Sequence, residues 1–187
     1  MIFAQLCWQA LARLAPLAVI ASASAAFAQT GEQASGRAVA EVVTPIRAVP
    51  LSDLSFGSVV IGAAGEGSVA VAADGSPPRY HNATRSSCAG EARCMPHRAS
   101  FDVSGEPRRS YRVVLPEQVI AYGVKTGAGL VVGSLDMRSI NAAASQGEGR
   151  LDNHGRDSFF VGGVLQVPAG TNPDVFRAEL PVIVTYN

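Results

Sequence analysis

The sequence lacks an excess of charge of either sign. Its 187 residues include 15 basic and 15 acidic side chains, which gives a formal net charge of zero at pH 7. Nucleic-acid-binding domains present a basic surface that neutralises phosphates, and this balance offers none. Lysine is nearly missing, since Lys125 is the only one and the other basic residues are arginines. Charge therefore gives no reason to expect a nucleic-acid partner.

Long apolar runs are scarce, and the run near the N-terminus is too short for a membrane anchor. It follows Arg13, covers residues 14–26 and leads into Ala26-Phe27-Ala28 before Gln29. A basic start, a short apolar stretch and an A-x-A site are the parts of a cleavable secretory signal. A transmembrane helix, the alternative, needs about 20 apolar residues. We predict that residues 1–28 are a signal peptide cleaved between Ala28 and Gln29. The mature chain then has no transmembrane segment and is exported to the periplasm, the cell surface or the medium.

Cysteine is rare, and cleavage makes its number even. Removing the signal peptide takes away Cys7 and Arg13, which leaves 14 basic and 15 acidic residues and two cysteines, Cys88 and Cys94. In an oxidising compartment this pair favours a disulfide. A metal site with the nearby histidines is the alternative, but structural zinc sites usually have about two to four residues between their cysteines. We predict the disulfide and no metal.

Catalytic motifs are missing as well. The sequence contains no G-x-S-x-G nucleophile elbow, no H-E-x-x-H, no P-loop and no dinucleotide-binding fingerprint. Its three histidines, His81, His97 and His154, lie in stretches of loop composition. A solvated histidine is the common outcome there, and we predict no catalytic residue and no cofactor. An enzyme, of hydrolytic type, remains the least favoured functional class.

No helical period is sustained over ten residues in the mature chain, whereas short alternating runs are frequent. At the C-terminus, for example, Val182, Val184 and Tyr186 form one alternating apolar set. Alternation with a period of two indicates half-buried strands, and many short strands separated by turn residues indicate a sandwich. We predict a single antiparallel immunoglobulin-like β-sandwich of seven to nine strands. The predicted strands are 37–43, 46–49, 54–61, 67–72, 99–104, 110–115, 130–137, 158–167 and 175–186.

The predicted organisation is a signal peptide, a flexible leader over residues 29–36 and one β-sandwich domain over residues 37–187. Within the domain, residues 73–98 are poor in apolar side chains, contain three prolines and four arginines, and hold both remaining cysteines. We predict a long loop pinned by the disulfide. Residues 141–156 have a similar loop composition. Long loops on a compact scaffold often bind ligands, although a tolerated surface insertion has the same composition.

Several short motifs occur in order along the chain. They are L-S-F-G at 54–57, F-D-V-S-G at 101–105, V-G-G-V-L at 161–165 and V-T-Y-N at 184–187. Each motif alone is weak, but their order and spacing resemble domain-of-unknown-function family 4402, found in exported proteins of Gram-negative bacteria. The resemblance covers about residues 38–187, and the cysteine-containing loop looks like a local insertion.

The family has no established activity, but it is similar in outline to chaperone–usher pilus subunits and to secreted spore-coat-U-like proteins. That likeness implies assembly by strand complementation, in which a neighbour's N-terminal strand completes an incomplete sandwich. The partners would be like subunits or a periplasmic chaperone. The alternative is that the N-terminal strand pairs within its own sandwich. The candidate strand-pairing residues are Ala38, Ala40, Val42, Val182, Val184 and Tyr186.

The leading functional hypothesis is therefore an exported, non-catalytic structural or adhesive protein, a pilin-like subunit. The alternative is a monomeric secreted or periplasmic binding module that uses residues 75–98 as its contact surface.

Overall fold

The computed structural model describes residues 35–62, 65–88, 91, 94–143 and 147–187. The predicted signal peptide, its cleavage site at Ala28 and Gln29, Cys7 and most of the predicted leader lie outside these residues. Among the described residues, no helix is long and apolar enough to cross a membrane. Residues 41–187 form one compact unit.

The described chain is all-β, as predicted, and all its strand pairs are antiparallel. It contains more strands than the seven to nine predicted, because several strands are only two to four residues long. The strands are β1 (Arg47–Ser52), β2 (Val59–Ile61), β3 (Gly67–Val71), β4 (Arg79–Asn82), β5 (Thr84–Ser86), β6 (Ala99–Ser104), β7 (Ser110–Val114), β8 (Gln118–Gly123), β9 (Gly129–Ser139), β10 (Glu148–Arg150), β11 (Arg156–Val167), β12 (Phe176–Arg177) and β13 (Ile183–Tyr186).

One large sheet forms the first layer of the sandwich. Its order is β1-β6-β11-β9-β8-β12, and β3 pairs with both β11 and β4. The long strand β11 serves two partners on one side, because its first half pairs with β6 and its second half with β3. Facing this layer are a three-stranded sheet, β10-β7-β13, and a two-stranded sheet, β2-β5.

Alternating side chains create two buried clusters between the layers. In β7, for instance, Tyr111 and Val113 are buried while their neighbours along the strand are exposed. The first cluster lies under the three-stranded sheet, where the rings of Phe101 and Phe159 stack with centroids 4.9 Å apart. Its buried members are Ala99, Val103, Tyr111, Val113, Met137, Leu151, Phe159 and Val161. The second cluster consists of Ala121, Leu130, Val132, Leu165 and Val167.

The structure corrects several predicted boundaries. No strand forms over residues 37–43, although the sequence alternates there. The predicted loop 73–98 contains β4 and β5, the predicted loop 141–156 contains β10, and β8 was not predicted at all. The predicted strand 175–186 is two strands, β12 and β13, separated by a segment that includes Pro181. Proline cannot donate to a strand ladder, which explains the interruption.

Candidate strand-pairing site

Among the strands of the described residues, the last strand, β13, has a partner on one side only. It pairs with β7 in the register Ile183↔Val114 to Tyr186↔Tyr111, and the other neighbour of β7 is β10. The amide of Asn187 donates to the carbonyl of Ser110 at 3.3 Å. Because backbone groups alternate in direction along an antiparallel strand, the N–H and C=O groups of Val184 and Tyr186 point away from β7. We call this row of backbone groups the open edge.

The side chains of β13 follow the predicted alternation. Val182, Val184 and Tyr186 pack against the first cluster. Ile183 is on the opposite face and is 59 % exposed. The open edge therefore belongs to a strand whose inner side chains are already fixed in the core.

The inner face of β1 is partly uncovered, on the side of the domain where the open edge lies. Ala48 and Pro50 of β1 are paired with the inward-facing residues Val103 and Phe101, so they share the inner face of the sheet, yet both are exposed. Strand β10 contacts β9 and β11. Since β13 is on the other side of β7 from β10, it must lie toward β6 and β1. The open edge is therefore on the side of β7 that is turned toward β6 and β1.

A small hydrogen-bonded cluster, here called the latch, fixes the chain at the start of the domain to its last strand. The hydroxyl of Tyr186 donates to the carbonyl of Thr44 at 2.7 Å and accepts from the amide of Glu106 at 2.6 Å. The amide of Thr44 in turn donates to Oε2 of Glu106 at 2.9 Å. This bond holds the pKa of the Glu106 carboxyl below its ordinary value.

The tyrosine of the latch fits because its neighbours leave room for it. A Cβ atom on Gly105 would collide with the Tyr186 hydroxyl. The guanidinium of Arg109 lies over the ring, 5.5 Å from its centroid. At this distance a cation attracts the face of an aromatic ring, which helps to hold the ring in place.

A buried polar network supports β7 directly behind the open edge. Tyr111 is fully buried and its hydroxyl donates to Oδ2 of Asp157 at 2.8 Å. Ser139 donates to the same oxygen at 2.6 Å, and the amides of Asn141 and Ser158 donate to Oδ1 at 3.2 and 2.8 Å. Each oxygen of the Asp157 carboxylate thus accepts two hydrogen bonds, and the carboxylate joins β7 to β9 and β11 across the two layers. Burial, and then the bond to Asp157, raise the pKa of Tyr111 well above its ordinary value.

The segment before β1 is not a strand, and most of its side chains are exposed. Residues 35–46 contain no strand, and Val42 is 96 % exposed. Ala38 and Ala40 are exposed as well. Pairing of this segment within its own sandwich, the alternative left by the sequence, is not observed.

The comparisons with known proteins give one result. A model of the family described as Domain of unknown function (DUF4402) matches residues 46–186. The chain belongs to this family. No curated protein and no solved structure matches the chain.

The matched region runs from just before β1 to the end of β13. It contains the open edge and two members of the latch, Glu106 and Tyr186, but begins after residues 37–43. The family match therefore includes the open edge of β13, and residues 37–43 precede it.

The other predicted site residues lie away from this edge. Cys88 and Cys94 form the predicted disulfide, with their Cα atoms 5.7 Å apart. No group of three or more residues suited to a metal ion occurs in the part of the chain that is described. His81, His97 and His154 are exposed. The amide of His154 donates to Oδ1 of Asp152 at 2.7 Å, which makes this pair part of a turn.

Sequence reasoning did not find the latch or the buried network. Tyr186 was selected for its place in an alternating strand, whereas its partners Thr44 and Glu106 are far away in the sequence. Asp157 and Tyr111 are separated by 46 residues. The acidic residue Asp157, which comes just before the apolar run of β11, is the one local signal that could have pointed to the network.

Proposed function

We propose that this protein is an exported, non-catalytic structural subunit that assembles by strand complementation. Residues 37–43 of one copy add to the open edge of β13 in the next copy. One observation carries the proposal: among the described strands β13 pairs only with β7, and Ala48 and Pro50 on the inner face of β1 are exposed.

Residues 37–43 have the composition that a strand added to the open edge requires. In a strand over residues 37–43, Ala38, Ala40 and Val42 share one face. These apolar side chains can cover the inner face of β1, which Ala48 and Pro50 leave exposed. The opposite face carries two charged residues, Arg37 and Glu41, together with Val39 and Val43. Main-chain hydrogen bonds along the open edge would supply affinity, and the alternate side chains would supply register.

The position of the latch supports a donor role. It holds Thr44 next to the C-terminal strand and leaves the residues before it without a partner strand. A chain whose residues 37–43 have no partner strand and whose β13 has an open edge can pair both of them with neighbouring copies. A periplasmic chaperone that lends a strand to the same edge would keep the subunit soluble before assembly, because an open edge promotes aggregation.

The test uses the chain from Gln29 onward and gel electrophoresis in SDS without boiling. We expect a ladder of oligomers that collapses to monomer when residues 37–43 are deleted. Val42→Asp places a charge on the face that is buried after assembly, and it should also abolish the ladder. Val39→Asp is the matched control, because residue 39 lies on the opposite face of the strand. A strictly monomeric protein, or a ladder that survives both the deletion and Val42→Asp, contradicts the proposal.

A further inference from the structure

The second core cluster is covered by a short segment and not by a broad sheet. We call residues 53–62 the cover. Its apolar side chains, Leu54, Phe56 and Ile61, pack against the second cluster, and Leu54 also packs against the first. Among the described strands, its strand β2 pairs only with β5. The main chain of the cover therefore depends on residues outside the large sheet for its hydrogen bonds.

Two arms of the chain supply those bonds. On one arm, β5 pairs with β2, the amide of Ser87 donates to the carbonyl of Ser58 at 3.0 Å, and the carbonyl of Ala83 accepts from Gly62 at 3.0 Å. On the other arm, Ser55 and His97 exchange a pair of backbone bonds at 2.8 and 2.9 Å. The cover lies between the arms and is bonded to both of them.

The disulfide joins these two arms at the cover. Cys88 follows β5 on the first arm, and Cys94 begins the second arm, where its carbonyl accepts from the amide of Ser58 at 3.0 Å. Ser58 is thus bonded through its amide to Cys94 and through its carbonyl to Ser87, the neighbour of Cys88. The fit is close, since a Cβ atom on Gly57 would collide with the Cys94 carbonyl. Both cysteines are partly exposed, so a small reductant can reach them.

From this arrangement we propose that the Cys88–Cys94 disulfide is a redox-operated clasp for the cover. Reduction leaves the two arms joined only through residues 89–93 of the chain, and the cover then detaches more readily from the second cluster while the rest of the sandwich stays folded. The reductant is of the dithiol class. One of its thiolates attacks a cysteine sulfur and breaks the S–S bond, and its second thiol resolves the mixed disulfide. Two electrons and two protons pass to the cysteines, and the reductant leaves as its own disulfide.

The clasp acts locally because the first cluster has its own supports. Among the described residues, no hydrogen bond links the members of the Tyr111–Asp157 network or of the latch to residues 83–88 or 94–97. Closing a ring as small as this one restricts the unfolded chain by a factor on the order of ten to a hundred in the loop-entropy model. Opening of the cover should become more frequent by about the same factor.

The experiment is hydrogen exchange on the native chain from Gln29 onward, oxidised or reduced with dithiothreitol. We expect the amides of Ser55 and Ser58 to exchange about ten- to a hundredfold faster after reduction. Exchange in β7 and β13 should not change, and reoxidation should restore the slow rate. The Cys88→Ser/Cys94→Ser variant should resemble the reduced protein. Met95→Ser is the control, because this exposed neighbour leaves the disulfide intact.

Two outcomes overturn the proposal. Unchanged exchange at Ser55 and Ser58 after complete reduction would show that the disulfide does not hold the cover. An equal acceleration of amide exchange in β7 and β13 would show that the disulfide stabilises the whole fold and not the cover alone. If the double variant does not fold, reduction of the folded wild-type protein still decides the question. The result is independent of assembly, which is followed by the SDS ladder.

Discussion

Replacing Tyr111 with phenylalanine removes a single hydroxyl from the buried network while keeping the ring. The hydroxyl is fully enclosed and donates to the Asp157 carboxylate at 2.8 Å. Hydrogen bonds to charged groups contribute about 1.5–3 kcal/mol, and water cannot reach this site as a substitute partner. We therefore expect Tyr111→Phe to lower the free energy of unfolding by about 1.5–3 kcal/mol. For a chain of this size that corresponds to a fall of roughly 3–12 °C in Tm.

The matched comparison is Tyr186→Phe, at the cross-strand partner of the same residue. Its hydroxyl makes two hydrogen bonds, but it lies near the surface, where water can replace them. We expect a smaller loss there, of about 1 kcal/mol. Thermal and urea unfolding of both variants measure the difference. A Tyr111→Phe protein that is no less stable than Tyr186→Phe would refute the view that the buried network supports β7.

The same network predicts a response to alkali. The folded state keeps the Tyr111 proton above pH 10, the ordinary pKa of tyrosine, whereas the unfolded state releases it. The folded state then binds more protons than the unfolded state, so stability falls as the pH rises above 10. Tyr111→Phe should show a shallower fall in that range.

Three further changes test other parts of the structure. The pKa of Glu106 lies below its ordinary value of 4.5. The bond from Thr44 to the Glu106 carboxylate therefore stabilises the fold above pH 4.5, and this stabilisation is lost as the pH falls below that value. The loss should change the amide NMR shifts of the latch, and Glu106→Gln should abolish that change. Gly149→Ala would push a Cβ atom into the buried ring of Tyr111 and should destabilise the fold by about 1–3 kcal/mol in urea unfolding, whereas the unobstructed Gly133→Ala should not. Asp174 accepts hydrogen bonds from the turn at residues 124–128, and its pKa of about 2 keeps the carboxylate charged at neutral pH. Because Asp174→Ala removes these bonds, it should accelerate amide exchange in that turn at neutral pH.

The all-β class was predictable because its cause is local. Alternation in β3 and β7 reports directly which side chains face the core, and the structure buries those residues. The disulfide was predictable for a simpler reason, since the predicted cleavage would leave Cys88 and Cys94 as the only two cysteines.

The missed strands lack that local signal. In β4 only Tyr80 is even partly buried, so its sequence has no apolar face to detect. In β8 the partly buried Val119 and Ile120 are adjacent and lie on opposite faces, which hides the alternation. Gly149 of β10 is buried without any side chain to indicate it. Segment 37–43 shows the converse, because alternation specifies which residues can share a face but not whether a partner strand exists.

The candidate site depends on distant parts of the chain. The open edge follows from which strands pair, and the uncovered face of β1 follows from the width of the smaller sheet. Neither property can be predicted from a short stretch of sequence. The latch likewise joins Tyr186 to Thr44, residues separated by 142 positions.

The most direct test of strand complementation is to add the donor strand as a peptide. The acceptor is the mature chain with Val42→Asp, which should not assemble by itself, and the peptide has the sequence of residues 37–43. We expect saturable binding, with the amide protons of Val184 and Tyr186 becoming protected from exchange in NMR spectra. The same peptide with the Val42→Asp change should not bind. Failure of the wild-type peptide to protect these two amides would contradict the account.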